Sequence, residues 1–484
     1  MEGGRAGGPV RDPAAGRREP GLTLGPRDDG RILGPGPDGP GSDGPGPGER
    51  IEASGPGERL AASGLDGRAI PHRHRRPATP RADGRAPGLP RHQPGWTVGV
   101  CRDPRAFALL REEWDGLRSR CSSATPFQSH SWLDSWWLSY GGRAGLRIVL
   151  VRRQGRLMAA APLMRVHRPL PLLVWLGGTI SDYGDVLADD EYRGPAVAAL
   201  ALGIRRAARG AVVDLREVRP GAAAELLYEA WHGPRRRRAD SVCLELPASP
   251  MEELVKRLPA SRAQRVRAKL RKIDALRIEG RPVTADQVPG AVDRLLRLHA
   301  LQWRGRGVTV EHLRPRFAQH LVRATRRMVR DGDAALTEYR LDGEVVAASI
   351  ALFSTGLTGG YLFGAHPGLR ERKVDVTAIL LRHEADLAAG TGGRVLSLLR
   401  GQEPYKDHWR PRRVTNQRLL LAPAHLGAAL RFHAAWAGWR ERAARAVATR
   451  LPAARAWRDR LKDWRAAARP ESGRAALSAP RTDS

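Results

Sequence analysis

With 484 residues, 41% of them apolar, the chain is long enough to bury one large core or two ordinary ones. Its formal charge of +31 attracts polyanions in general, yet only 6 of the 82 basic residues are lysine, a skew that a GC-rich coding sequence produces. No nucleic-acid module signature accompanies the charge, Cys101, Cys121 and Cys243 lack the spacing of a disulfide framework or a zinc site, and no run reaches the roughly 20 apolar residues of a membrane span. Nucleic acid is therefore not the expected partner, no metal is expected, and a cytoplasmic protein is.

Residues 1–94 are Gly, Pro, Arg and Asp with almost no aromatic side chain, too polar to offset the entropy of ordering. They predict a disordered segment; an upstream start codon assigned in error is the equal alternative. Order begins at Trp96. Leu146 to Arg153 and Leu157 to Val166 read as strands joined by a hairpin at Gln154-Gly155-Arg156. A helix over Gly194–Arg209, a strand over Val212–Val218, a helix over Ala222–Trp231 and a strand over Ser241–Leu246 follow. Glu252 to Leu276 reads as one long amphipathic helix, and Val288–Trp303 and Glu311–Arg330 as two more. A second hairpin spans Ala334–Leu341 and Glu344–Phe353 across Asp342-Gly343. A strand over Tyr361–Ala365, a helix over Val374–Leu387 and strands over Arg394–Leu399 and Thr415–Leu421 complete the pattern.

The hairpins repeat. Gly155 matches Gly343 and Ala159-Ala160 matches Ala347-Ala348, and each hairpin is followed by Gly-Gly, an aromatic-Gly strand (Tyr183-Gly184; Phe363-Gly364), a helix and a strand. Two α/β lobes, residues 95–248 and 249–423, are the economical reading. After Pro423 a basic amphipathic stretch, residues 424–484, carries Leu426, Leu430, Trp436 and Trp439 at helical spacing. It is a helical tail that either packs on its own domain or makes a peripheral contact with an anionic membrane or a protein.

The order of elements, ending in G-x-E-P-Y-K-x-x-W at Gly401 to Trp409, resembles the GNAT acetyltransferase superfamily, and within it the CelD/BcsL type of cellulose and exopolysaccharide biosynthesis. Leu298-His299, Gln302-Trp303 and Ser181-Asp182-Tyr183 support the resemblance, which covers roughly residues 96–423 and extends to the build of the FemABX transferases. It implies an α/β (α+β) fold of two tandem GNAT-like lobes, each a mixed sheet flanked by helices. It also implies an acyltransferase moving an acetyl group from acetyl-CoA to an amine or hydroxyl of a small-molecule or saccharide acceptor. An aminoacyl-tRNA-dependent transferase and a non-catalytic scaffold of a polysaccharide-assembly complex are the alternatives.

Acyl transfer needs a base for the nucleophile, donors for the carbonyl oxygen and a proton for the leaving group. The resemblance assigns Glu403 as base and Tyr405 as acid, with Lys406 holding a phosphate or substrate carboxylate. A turn at Pro404-Tyr405, a core cap at Trp409 and a surface Glu403–Lys406 pair are the structural alternative. In the cofactor loop, Lys373 and Asp375 stand where glycines would grip pyrophosphate, so Arg370, Arg372 and Lys373 are the expected coenzyme A contacts. Asp182 and Tyr183, facing the second lobe, and His299 and Trp303, four apart on one helix face, are the remaining candidates for binding substrate. For each, an ordinary structural role is the competing reading.

Overall fold

The computed structural model describes residues 95–142, 144–304, 309–401 and 403–450. The expectations for residues 1–94 and for the end of the tail, residues 451–484, lie outside the described residues. In chain order the elements are β1 (Trp96–Cys101), α1 (Pro104–Ala108), α2 (Arg111–Ser119), α3 (His130–Tyr140), β2 (Gly145–Arg153), β3 (Arg156–His167), β4 (Pro171–Trp175), β5 (Leu187–Ala188), α4 (Arg193–Ala207), β6 (Val212–Val218), α5 (Ala223–Glu229) and β7 (Arg235–Pro247). The second half continues with α6 (Met251–Lys256), α7 (Ala260–Ala275), β8 (Glu279–Pro282), α8 (Val288–Gln302), α9 (Pro315–Asp331), β9 (Ala334–Leu341), β10 (Glu344–Ser354) and β11 (Leu357–Ala365). It closes with α10 (Gly368–Glu371), α11 (Val376–Gly390), β12 (Val395–Arg400), α12 (Pro404–Asp407), β13 (Arg412–Leu421) and α13 (Gly427–Arg450).

Turn chemistry explains the two hairpins. Gln154 and Gly155 (φ 50° and 83°) and Asp342 and Gly343 (φ 53° and 84°) each put two successive residues in the left-handed region. That is the requirement of a two-residue turn matched to strand twist. The lobes then run in parallel: β2, β3, β4, α4, β6, α5, β7 against β9, β10, β11, α11, β12, α12, β13.

Their two mixed sheets join into one of 13 strands, in the order β1-β2-β3-β4-β6-β13-β7-β12-β11-β10-β9-β8, with β5 beside β3. The join is an exchange. The first lobe's last strand, β7, pairs with β12 of the second, while the second lobe's last strand, β13, inserts between β6 and β7 of the first. On one face a shared apolar core takes Trp114, Phe127 and Trp132 from the first lobe and Phe317, Leu321 and Met328 from α9. Polar contacts close the same seam: Ser135 Oγ donates to the His320 carbonyl (2.9 Å), and Arg327 pairs with Asp134 (2.8 Å).

Several sequence expectations change. The long helix over Glu252–Leu276 is two, because Pro259 has no N–H to donate and sits at the start of α7. Tyr183-Gly184 is not in a strand. The first lobe's counterpart of β11 is β4, and Gly177-Gly178 (φ 103° and 57°) turns the chain after it, whereas Gly359-Gly360 lies inside β11. Strand β7 starts six residues earlier than its alternation suggested, since four successive arginines hide a period of two. Helices α1–α3 have no counterpart among the sequence expectations.

Gly364 shows how tightly α8 lies on β11: a Cβ there would sit 2.3 Å from the His299 backbone nitrogen and 2.6 Å from the Leu295 carbonyl oxygen. Helix backbone cannot yield as a side-chain tip does. Gly364→Ala is expected to cost about 3 kcal/mol in urea unfolding, whereas Gly99→Ala, with open space around it, changes stability by less than about 1 kcal/mol.

Candidate functional site

Each lobe has a pair of parallel strands that diverge. In the first lobe β4 and β6 pair from Leu172 opposite Val212 to Val174 opposite Asp214. The gap beyond is filled by the chain itself: Trp175 Nε1 donates to the Arg216 carbonyl and the Gly184 N–H donates to the Glu217 carbonyl, both at 2.9 Å. A Cβ on Gly184 would lie 2.3 Å from the Trp175 ring, so only glycine lets that segment close the gap.

In the second lobe β11 and β12 pair from Leu357 opposite Val395 to Gly359 opposite Ser397. Strand β12 then buckles. Leu399 takes a left-handed φ of 56° and its N–H donates to Ser397 Oγ (3.1 Å), and Gly401 follows at φ 114°. A leucine in that region is held there only by its surroundings. The strained turn delivers α12 and its side chains.

Around this turn the side chains form one connected set. Arg400 pairs with Asp182 and with Glu217 (3.1 Å) and donates to the Thr179 carbonyl (2.7 Å). Burial works against its charge, but Asp182 and Glu217 outweigh that and hold the guanidinium firmly protonated. Buried Lys406 donates to the Arg400 carbonyl (3.1 Å) and pairs with Glu403 (2.8 Å), which stands just before α12. Tyr405 is half-buried. Burial first, then the charges of Glu403 and Glu384, push its hydroxyl well above the ordinary tyrosine value, so it stays a phenol and can donate but not act as a resting base. Tyr183 reaches the same strand, its hydroxyl 2.8 Å from Ser397 Oγ. Trp409 packs in a core with Leu246 and Leu381. Gln402 lies outside the described residues.

Glu384 joins the site beyond the residues expected from sequence. It projects from α11 toward β11 where β12 peels away: a Cβ on Gly360 would lie 2.4 Å from both its carboxyl oxygens. It is 8% exposed. Burial pushes it up to about 8, opposed by the charge of Lys406. Its position, with Leu381, Ala385 and Ala388 on the buried face of α11, is the signal that could have found it.

The other expected residues lie elsewhere on the second lobe. His299 donates from Nδ1 to the Phe363 carbonyl (2.7 Å), leaving Nε2 to accept from His312 Nδ1 (3.1 Å). Burial lowers both imidazoles, His312 to about 4 with His299 adding to the effect. Trp303 sits beside His299, ring centroids 6.2 Å apart, and Gly305 and Arg306 lie outside the described residues. Neither His299 nor Trp303 contacts the Arg400 set. Arg370, in α10, and Arg372 and Lys373, on the turn before α11, are exposed.

At the start of α11 the geometry does not fit the usual grip on coenzyme A. The Asp375 carboxylate accepts from the backbone N–H groups of Thr377 and Ala378, and Lys269 pairs with it at 2.8 Å. Those N–H groups are the donors with which a helix N-terminus holds a pyrophosphate. Here a carboxylate of the protein occupies them.

On the first-lobe side of Arg400 opens a cleft of about 870 Å³. Trp136 and Tyr140 of α3 line it, stacked at 5.3 Å, together with Trp175 and Trp436. Three of its arginines are paired in place: Arg316 with Glu311 (2.7 Å), Arg418 with Asp214 (2.6 Å) and Arg216 with Asp240. His433 of α13 also meets Asp214, Nε2 to Oδ2 at 2.8 Å. Burial works against the Asp214 charge, but the bonds from His433 and Arg418 overcome it and hold the carboxyl at about 2. Of the groups lining the cleft, Tyr183 and Trp436 are marked by the sequence; the rest come together from segments far apart in the chain.

Glu384 holds its proton more tightly when folded than its ordinary value of 4.5 implies. Stability tied to that proton is fully present below 4.5 and is lost as pH rises through about 8. Thermal melts between about pH 5 and pH 9 should therefore show Glu384→Gln with a flatter decline than wild type. Identical pH profiles would refute the assignment.

Residues 260–407 match the family model described as "Acetyltransferase (GNAT) domain". A search of curated proteins finds no match. Among solved structures, FemX aligns at a TM-score of 0.48 and 12% identity, over 64% of this chain and 95% of that one. A conserved protein of unknown function from Bacteroides thetaiotaomicron aligns at 0.46 and 11%, over 68% and 100%. A tandem GNAT protein from the clavulanic acid biosynthesis pathway aligns at 0.35 and 12%, over 68% and 99%. The chain carries, in residues 260–407, a GNAT-type acetyltransferase domain.

Proposed function

We propose that the protein is an acyltransferase in which the acyl end of the donor lies between the diverging strands β11 and β12, and an amine or hydroxyl acceptor lies in the 870 Å³ cleft. The observation that carries this reading is the Arg400 junction. One unbroken set of contacts runs from Glu403 and Lys406 beside the gap, through Arg400, to Asp182 and Glu217 beside the cleft. The two compartments share that wall. Tyr405, kept as a phenol, supplies the proton to the leaving group, and Glu403, positioned by Lys406, takes the proton of the nucleophile. Glu384 lines the gap with a carboxyl that exchanges its proton near neutral pH.

Stacked aromatic faces next to planar groups fixed by ion pairs suit an acceptor with an apolar face and a hydroxyl rim, which is the chemistry of a saccharide. The likeness of Gly401–Trp409 to the CelD/BcsL type favours the same acceptor class, in cellulose or exopolysaccharide synthesis. Acetyl-CoA as the donor rests on the family model, with Arg370, Arg372 and Lys373 as the side chains left to meet its phosphates. A second reading, transfer from aminoacyl-tRNA, is favoured by Asp375 filling the helix N-terminus and by the charge of +31.

Thiol release from acetyl-CoA, followed with amino sugars and neutral oligosaccharides as acceptors, tests the reading. Acceptor-dependent release is expected, with Tyr405→Phe lowering kcat by about 100-fold or more at little change in KM. No release, together with no calorimetric binding of coenzyme A, would overturn that donor. Transfer from aminoacyl-tRNA that falls steeply with salt would establish the second reading.

A further inference from the structure

Helix α13 has two apolar faces. Leu430, His433, Ala434 and Ala437 point inward, and the helix is tied down by Glu441 to Arg238 and Arg418, both at 3.2 Å. Phe432, Trp436 and Trp439 point outward, 53%, 39% and 55% exposed, with the two indoles stacked at 5.2 Å. Spaced four and three residues apart, they fall within roughly 60° of one another on a helical wheel. They are the only large aromatic side chains exposed among the described residues. Exposed Arg431 and Arg442 flank the stripe on one side and exposed Arg440 on the other.

We infer that this face of α13 seats the protein on an anionic phospholipid surface. Tryptophan and phenylalanine are the side chains that settle at headgroup depth, and arginines on both flanks supply the complementary charge. Residues 424–484 carry 13 basic against 5 acidic groups, in keeping with a negative surface. A protein partner or a second copy would have no need of cationic flanks on both sides. No described helix is long and apolar enough to cross a membrane, so the contact is peripheral. Trp436 and Arg440 also line the cleft, so the seated surface adjoins its mouth.

Sedimentation of the full chain with vesicles tests this without reference to catalysis. Binding is expected to vesicles containing phosphatidylglycerol and not to phosphatidylcholine alone. The double variant Phe432→Ser/Trp439→Ser should lose about tenfold or more in partition, and Arg431→Glu/Arg442→Glu should lose a similar factor, each with an unchanged thermal melt. Undiminished binding by the serine variant would mean that the overall charge suffices, and would overturn the inference. So would absence of binding to both vesicles, or a concentration-dependent dimer that the serine variant dissolves.

Discussion

Pairing between β7 and β13 runs from Glu245 opposite Arg412 to Arg235 opposite Leu421, and it seats the final strand of each lobe between two strands of the other. Without that exchange β6 would end the first lobe at a bare edge, and β12 would end the second. With it, two copies of one supersecondary plan are joined by three antiparallel ladders. The shared core of α3 and α9 on one face then has a rigid floor. The position of the gap, the cleft and the wall between them all follow from the register of that one ladder.

The wall itself is electrostatic. Arg400 leaves β12 at the buckle and takes two carboxylates and a carbonyl from the first lobe. Such a cluster is expensive to desolvate, and removing one partner strands the others, so it is a device of position more than of net stability. The two lobes have diverged in what their open strand pairs contain. Trp175 and Gly184 close the first, while in the second a carboxyl that prefers its proton near neutrality stands beside a tyrosine that rests as a phenol. The pair of histidines at the far end of β11 is neutral and satisfied, a packing element between α8 and the sheet.

Much of the fold was legible where a local rule operates. The hairpins announced themselves because only particular residues enter left-handed turns, and β6 was readable end to end because its apolar run is bounded by Gly210 and Pro220. Pro259 was equally local and was read through because the charge run on both sides continued. Strand β4 was lost because a proline and a tryptophan bracket only three other residues. In the site, Glu403, Lys406, Asp182 and Tyr183 were visible as a polar cluster at a strand end and its counterpart. Arg400 stands just before that motif without a signal of its own, since a single arginine at the end of a strand carries no pattern. The Asp214, Arg418 and His433 cluster carries no sequence signal: Asp214 is separated from the other two by more than half of the described chain and meets them only when β13 enters the first lobe. Tail helix α13 was foreseen as amphipathic, but Leu430 and the two tryptophans belong to opposite faces.

The strand exchange also fixes an order of events during synthesis. While the first lobe emerges from the ribosome, the neighbour that completes it, residues 412–421, has yet to be made. Joining Val213 to Leu421 closes a very long loop, which penalises the rate of folding far more than the final stability. Until then β6 has β4 on one side and an open edge on the other, a state that invites a chaperone or a foreign strand. The cleft, which takes Arg418 from β13 and His433 from α13, is complete only once those last segments are in place.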